Sequence, residues 1–367
     1  MAADAGSIEL RYRPELDGVR AVAILCVMAY HAFLVAVPPK IAGFMGVDVF
    51  FVLSGFLITT LLLDERRSRG NIGLGAFYAR RALRLVPALL LMLVVAAGFE
   101  VALHRPHEMA SFKRVAAETL FYVGNWQPRT LGILNHTWSL AIEEQFYVVW
   151  PPLLVFALRR RVSRRTLAAI LVGLAVVLFA GDALFGHTGL YHSKIVEVFA
   201  ESYTRSAAIL LGCAIALVPD LWRWARLRSV AVAALAGAAI VLSVSGTKTN
   251  FHYRIGLTAF TVLVSVLLAH VVHAPKAELA SVLRWKPFVA IGRVSYGLYL
   301  YHVPVFWYVG QAHIALQARG LAIAVAITVA ITLFSYFAIE RPALRYKRRF
   351  TRRELEPQTA HSFKIAA

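Results

Sequence analysis

The sequence predicts an all-α fold, a polytopic membrane helix bundle of about ten transmembrane helices with both termini cytoplasmic, and three observations carry that expectation. Of 367 residues, 59% are hydrophobic and 16% are charged, with a mean hydropathy of +0.65. That is more apolar than a soluble domain needs to fill its core. Apolar runs of the ~20-residue length that crosses a hydrocarbon layer recur along the chain. Lys and Arg gather in every second connection, as they do in cytoplasmic loops.

The runs lie over residues 18–37, 44–63, 83–103, 140–158, 166–185, 204–218, 229–245, 254–273, 288–310 and 319–339. Arg66, Arg67, Arg69, Arg80 and Arg81 separate the second from the third, and Arg159, Arg160, Arg161, Arg164 and Arg165 the fourth from the fifth. Arg223, Arg226 and Arg228 follow the sixth, Lys276, Arg284 and Lys286 the eighth, and a run from Arg345 to Arg353 the tenth. The alternate connections are poorer, with Lys40, Lys194, Lys248 and Arg319, and only the 104–139 segment among them holds several basic residues. Three regions follow: a cytoplasmic N-terminal tail (1–15), a transmembrane domain (16–342) and a basic cytoplasmic tail (343–367).

The net charge of +19 is therefore assigned to topology and lipid head groups rather than to nucleic acid. Cys26 and Cys213 both lie inside apolar runs, so neither a disulfide framework nor a metal-ligand spacing is expected. Residues Met1 to Leu16 carry Asp4, Glu9 and Glu15 and no signal-peptide pattern, so the first helix is expected to be an uncleaved anchor. The segment 104–139, with His104, His107, Trp126, His136 and Trp138, is the longest outside connection and reads as a partly helical lid.

Ionisable residues inside a bilayer are expensive and mark functional candidates, with a buried structural pair as the alternative. Arg20 and His31 are eleven residues apart, so they share a helix face ~16 Å apart, with Arg20 near the cytoplasmic surface. Asp48 opens the second run and either orients a partner or marks the helix start; Ser54 and Gly55 in the same run permit close packing. Arg80, Arg81 and Arg84 fall in Phe77-Tyr78-Ala79-Arg80-Arg81-Ala82-Leu83-Arg84, where Arg80 and Arg84 share a face that suits a phosphate-rich ligand at the cytoplasmic surface. Trp138 to Tyr147 places Glu143 and Glu144 at the outer end of the fourth run, ahead of a kink at Pro151 and Pro152. Tyr296, Tyr299 and His302 or Tyr301 recur at three-to-four spacing and give the ninth run one polar-aromatic face. Glu340 and Arg341 read as a structural pair that ends the last helix before Pro342.

Together these motifs resemble the acyltransferase-3 family of integral membrane O-acyltransferases, from Leu16 to Pro342. The resemblance rests on Leu16-Asp17-Gly18-Val19-Arg20 with His31, Asp48 to Gly55, Phe77 to Pro87, Trp138 to Tyr147, Ser295 to His302, and Glu340-Arg341-Pro342. It implies transfer of an acyl group, usually acetyl, from cytosolic acyl-CoA to a hydroxyl of a carbohydrate, glycolipid or secondary product, without metal. The localisation implied is the cell membrane. The family's Arg and His fall on Arg20 and His31, and its basic pattern on Arg80, Arg81 and Arg84, which would hold the CoA phosphates. Glu143 and Glu144 join Arg20 and His31 as catalytic candidates. Asp48, Ser54, Trp138, Tyr147, Tyr296 and His302 are the substrate-binding ones. Ser206, Ala207 and Ala208 follow Arg205 where relatives often carry an acid, so Arg205 adds little to the resemblance. Only residues 343–367 follow Pro342, which implies the form without a fused hydrolase-like domain.

In the expected mechanism neutral His31 takes the proton of the acceptor hydroxyl, with an acyl-enzyme on His31 or Ser54 left open. The rival reading is a transporter in which Arg20, His31, Asp48, Glu143 and Glu144 form a substrate or proton path.

Overall fold

The computed structural model describes residues 12–35, 43–103, 106–126, 132–185, 194–244, 250–312 and 317–345. Most of both tails, together with Lys40, His104 and Lys248, lies outside the described residues. Among the described residues every regular element is helical. The order is α1 (Pro14–His31), α2 (Gly46–Arg69), α3 (Leu74–Ala102), α4 (Pro106–Leu120), α5 (Trp138–Arg159), α6 (Arg164–Phe185) and α7 (Lys194–Leu217). There follow α8 (Arg228–Val244), α9 (Asn250–His273), α10 (Glu278–Leu283), α11 (Lys286–Arg293), α12 (Ser295–Gln311) and α13 (Gln317–Phe334).

Over its described residues each apolar run is largely helical, but they do not all form single straight spans. Among the described residues six helical stretches, over 43–69, 74–102, 135–159, 164–181, 255–273 and 318–345, are long and apolar enough to cross a membrane. A seventh is a bent pair, in which residues 205–217 and a 3-10 segment at Pro219–Arg226 meet at 94°. The helix α1 carries Glu15, Asp17 and Arg20 within its 18 residues, and α8 and α12 are 17 residues each.

Two boundaries depart from expectation in ways that matter for the site. The third run begins nine residues early, at Leu74, so Arg80 and Arg81 join Arg84 inside the helix rather than preceding it. The ninth run is broken at Val294 into α11 and α12. Here α11 passes so close to α1 that a Cβ on Gly292 would collide with the Asp17 backbone. The last helix does not stop before Pro342: a π-helical turn over Ser335–Glu340 carries the chain on to Arg345. Nor do its last charges pair as expected, because Glu340 accepts from Ser335 Oγ at 3.0 Å and Arg341 lies over the Tyr336 and Phe337 rings.

The centre of the bundle is the crossing of α2 and α7. A Cβ on Gly55 would strike the Ile209 carbonyl, and one on Gly212 the Val52 carbonyl, so each helix supplies the notch for the other's backbone. Without a hydrophobic drive between helices in lipid, such close backbone contact supplies the dispersion energy that holds them. Prolines shape two further helices. Pro151 and Pro152 leave the carbonyls of Tyr147 and Val148 without their i+4 donors. The Tyr78 hydroxyl sits between them, 3.0 Å from Val148 O and 3.3 Å from Tyr147 O. Pro304 likewise frees the Leu300 carbonyl, which accepts from His136 Nε2 at 3.1 Å.

Candidate active site

A cavity of about 130 Å³ opens between α1, α2, α3, α5 and α12. In a bundle this apolar its lining is conspicuous, because it gathers three arginines (Arg20, Arg81 and Arg84) and two glutamates (Glu143 and Glu144). Ser54, Tyr147 and Tyr296, also singled out in the sequence, line it too. So do Ser139 and Tyr299, neither of them named as a site residue, although Tyr299 had been noticed on the polar-aromatic face of the ninth run.

Most of these charges are matched inside the protein, as low dielectric requires. Arg81 grips Glu144 with both arms, Nε to Oε2 at 2.9 Å and Nη2 to Oε1 at 2.5 Å. Its guanidinium lies 3.3 Å from the centroid of the Tyr147 ring. The sequence had put these arginines at the cytoplasmic surface and the glutamates at the outer end of their helix. The structure brings them to one depth. Arg81 is seven residues into α3 and Glu144 six into α5, each ~10 Å from its helix start.

Glu143 is committed differently, accepting a hydrogen bond from Ser54 Oγ at 3.0 Å. Ser54 immediately precedes the Gly55 notch, so its position is fixed by the α2–α7 crossing. Arg20 Nη1 donates to Asp17 Oδ1 at 3.1 Å, while Tyr12 donates to Asp17 Oδ2 at 2.9 Å. Arg84 is the exception: its side chain is open to the cavity, and among the described residues no carboxylate comes within ion-pair distance of it. Arg80, by contrast, is turned away to Glu65 Oε2 at 3.2 Å and does not line the cavity.

Beyond Ser139 and Tyr299 lies a second cluster, of imidazoles. The Tyr299 hydroxyl donates to His136 O at 2.7 Å and touches Ser139 Oγ. The His302 ring is centred 5.7 Å from Tyr299, 5.0 Å from His31 and 5.6 Å from His136. The hydrogen bonds assign the tautomers. His302 Nδ1 faces the carbonyls of Leu298 and Tyr299 at 3.0 and 2.8 Å, so it carries the proton and Nε2 accepts. His31 Nδ1 lies 3.0 Å from Val27 O and 3.3 Å from His302 Nε2, so it donates and leaves the lone pair on its own Nε2. His136 Nε2 donates to Leu300, and its buried Nδ1 has no hydrogen-bond partner. Among the described residues no group of His, Cys, Asp or Glu is arranged to hold a metal ion.

The remaining candidates sit to one side. Asp48 is 1% exposed and forms an ion pair with Arg205, itself 4% exposed, joining α2 to α7. Trp138 lies against that arginine, 5.6 Å from its guanidinium carbon. Two residues not named as site candidates had nevertheless left a trace in the sequence. Tyr299 shares a helix face with Tyr296 and His302, and Arg205, a cation within an apolar run, demands a carboxylate from another helix. The importance of His136 left none, because it depends on a carbonyl freed by Pro304 more than 160 residues away in sequence.

Comparison with known proteins gives this geometry a family. An acyltransferase domain matches residues 13–340. The peptidoglycan O-acetyltransferase OatA of Listeria monocytogenes is 34% identical over 318 residues, covering 80% of this chain and 49% of that protein. The O-acetyltransferase OatA of Staphylococcus aureus is 31% identical over 356 residues, 90% of this chain and 57% of that protein. The chain thus spans about half the length of these relatives. No solved structure matches. Because the match runs through every helix that lines the charged cavity and the imidazole cluster, the chain belongs to the acyltransferase-3 family of integral membrane O-acyltransferases.

Proposed function

We propose that this chain moves an acyl group, acetyl as in the named relatives, from acyl-CoA on the cytoplasmic side of the cell membrane to a hydroxyl of an envelope glycan. The observation that carries the reading is Arg84, a guanidinium open to a polar cavity inside the bundle and uncommitted to any carboxylate. A cation with no carboxylate at ion-pair distance in this setting suits an anion, and a phosphate or a developing oxyanion satisfies it. Arg80 and Arg81, expected to share that work, are engaged with Glu65 and Glu144. The donor's phosphates therefore fall mainly to Arg84, with Arg20 in the same cavity lining.

The acceptor approaches from the imidazole end, where Ser139 and Tyr299 join the cavity to His136, His302 and His31. His31 is the general base. Its proton is held on Nδ1 by Val27 O and His302, so Nε2 is the nitrogen able to take the acceptor's proton. The transport alternative asks for Asp48 on the same path as Arg20 and Glu143, whereas Asp48 is turned to Arg205.

The test is transfer of label from acetyl-CoA by purified, detergent-solubilised protein with envelope glycan extracts as acceptors. Wild type should turn over; His31→Ala should lose transfer, and Arg84→Ala should raise the donor KM. Failure of wild type to bind or consume acyl-CoA would overturn the reading, and flux of a solute without CoA would replace it with transport.

A further inference from the structure

We infer that Ser54 carries the acyl group between two half-reactions, with Glu143 as the base that activates it; this rests on the acyl-CoA reading above. Three features of the geometry point there. Ser54 Oγ donates to Glu143 Oε1 at 3.0 Å, the nucleophile-to-base contact that activates a hydroxyl. Both residues line the cavity that Arg84 also lines, so a thioester carbonyl bound there has an uncommitted cation near it. The serine is also held rigidly, since the residue after it is locked against the Ile209 backbone. The helix turn that carries its partner is likewise tied down, through the Arg81–Glu144 ion pair at the next residue.

His31 lies just beyond the cavity lining, beside the His302 ring, where Tyr299 and Ser139 join the two clusters. With the acyl group held on Ser54, CoA leaves before the acceptor hydroxyl enters from that side, between Ser54 and His31. In the first half-reaction Ser54 Oγ bonds to the thioester carbonyl carbon and the carbon–sulfur bond breaks. The Oγ proton passes to Glu143 and from it to the departing thiolate, which leaves as free CoA. In the second, the acceptor oxygen bonds to the same carbon and the bond to Ser54 Oγ breaks. The acceptor's proton, carried by His31, restores the serine hydroxyl. No oxidant, metal or second co-substrate is required.

The experiment uses the full chain in detergent with isotopically labelled acetyl-CoA, quenched in acid and mapped by mass spectrometry, alongside release of free CoA thiol. Wild type without acceptor should give one acetyl group on Ser54 and a matching burst of thiol, and added glycan acceptor should discharge it. His31→Ala should accumulate the mark, because only the second half-reaction is blocked. Glu143→Gln should slow marking at least about a hundredfold, the usual worth of a general base. Ser54→Ala should bind acetyl-CoA as wild type does and give neither mark nor burst. The inference is overturned if wild type transfers acetyl while His31→Ala accumulates no mark on Ser54, if another residue is marked instead, or if Ser54→Ala keeps its turnover. Absence of thiol release from wild type would overturn both this inference and the reading beneath it.

Discussion

Replacing Asp48 with Asn removes one charge from the ion pair that ties α2 to α7 and leaves Arg205 in place. Arg205 is 4% exposed and Asp48 1%, so water cannot stand in for the lost carboxylate. Removing one partner of a buried pair costs about 3–5 kcal/mol, and a lone arginine at the centre of a membrane helix costs about 2.5–3.5 kcal/mol on insertion scales. At about 2 °C per kcal/mol for a domain of this size, the expected loss in melting temperature is about 6–10 °C. A thiol-reactive fluorophore reads it directly, because Cys213 lies on α7 beside the α2 crossing, is 0% exposed and is free to react once the helices part. A Cys26→Ala background removes the more accessible thiol. Asp48→Asn combined with Arg205→Gln should recover at least half the loss, since no uncompensated charge remains. A single substitution that shifts the melt by less than about 2 °C, or a double variant as unstable as the sum of the singles, would refute the reasoning.

Three further outcomes are expected. Tyr78→Phe removes the hydroxyl shared by the carbonyls that Pro151 and Pro152 leave open, and should cost about 1–3 kcal/mol in the same melt. Adding Pro152→Ala, which restores an N–H to Val148 O, should return part of it. Arg80→Gln should lower stability with little change in donor KM, because its partner is Glu65, whereas Arg84→Gln should raise KM with little change in the melt; equal effects on both would dissolve the distinction. Gly55→Leu should prevent assembly of the bundle, because its side chain would have to occupy the space of the Ile209 backbone, and a monodisperse, cooperatively melting Gly55→Leu protein would contradict the crossing described here.

Much of this could be read in the sequence because a bilayer leaves few choices. A helix that meets no water must be apolar along its length, so the ten runs stand out in composition, and each is largely helical over its described residues. For the same reason polar and charged residues in or beside them called attention to themselves, and Arg20, Ser54, Arg81, Arg84, Glu143, Glu144, Tyr147 and Tyr296 do meet in one cavity. Ser54 and Gly55 were legible as a close-packing site, and Gly212 proved to be its counterpart.

What the sequence could not give was the partner of each charge. Arg80 and Arg81 are neighbours with the same chemistry, yet one turns to Glu65 and the other to Glu144, because successive residues on a helix point about 100° apart and face different helices. Depth was hidden as well. Arg81 and Glu144 read as belonging to opposite faces of the membrane until the early start of α3 and the position of Glu144 inside α5 put them side by side. The imidazole tautomers lay further out of reach, since they depend on carbonyls of α1 and α12, one of them released by Pro304 to a histidine that enters from before α5. Local sequence determines which segments enter the bilayer and which side chains are too costly there to be idle. Which of those side chains neutralise one another, and which is left to meet a substrate, is decided by the packing of helices distant in sequence.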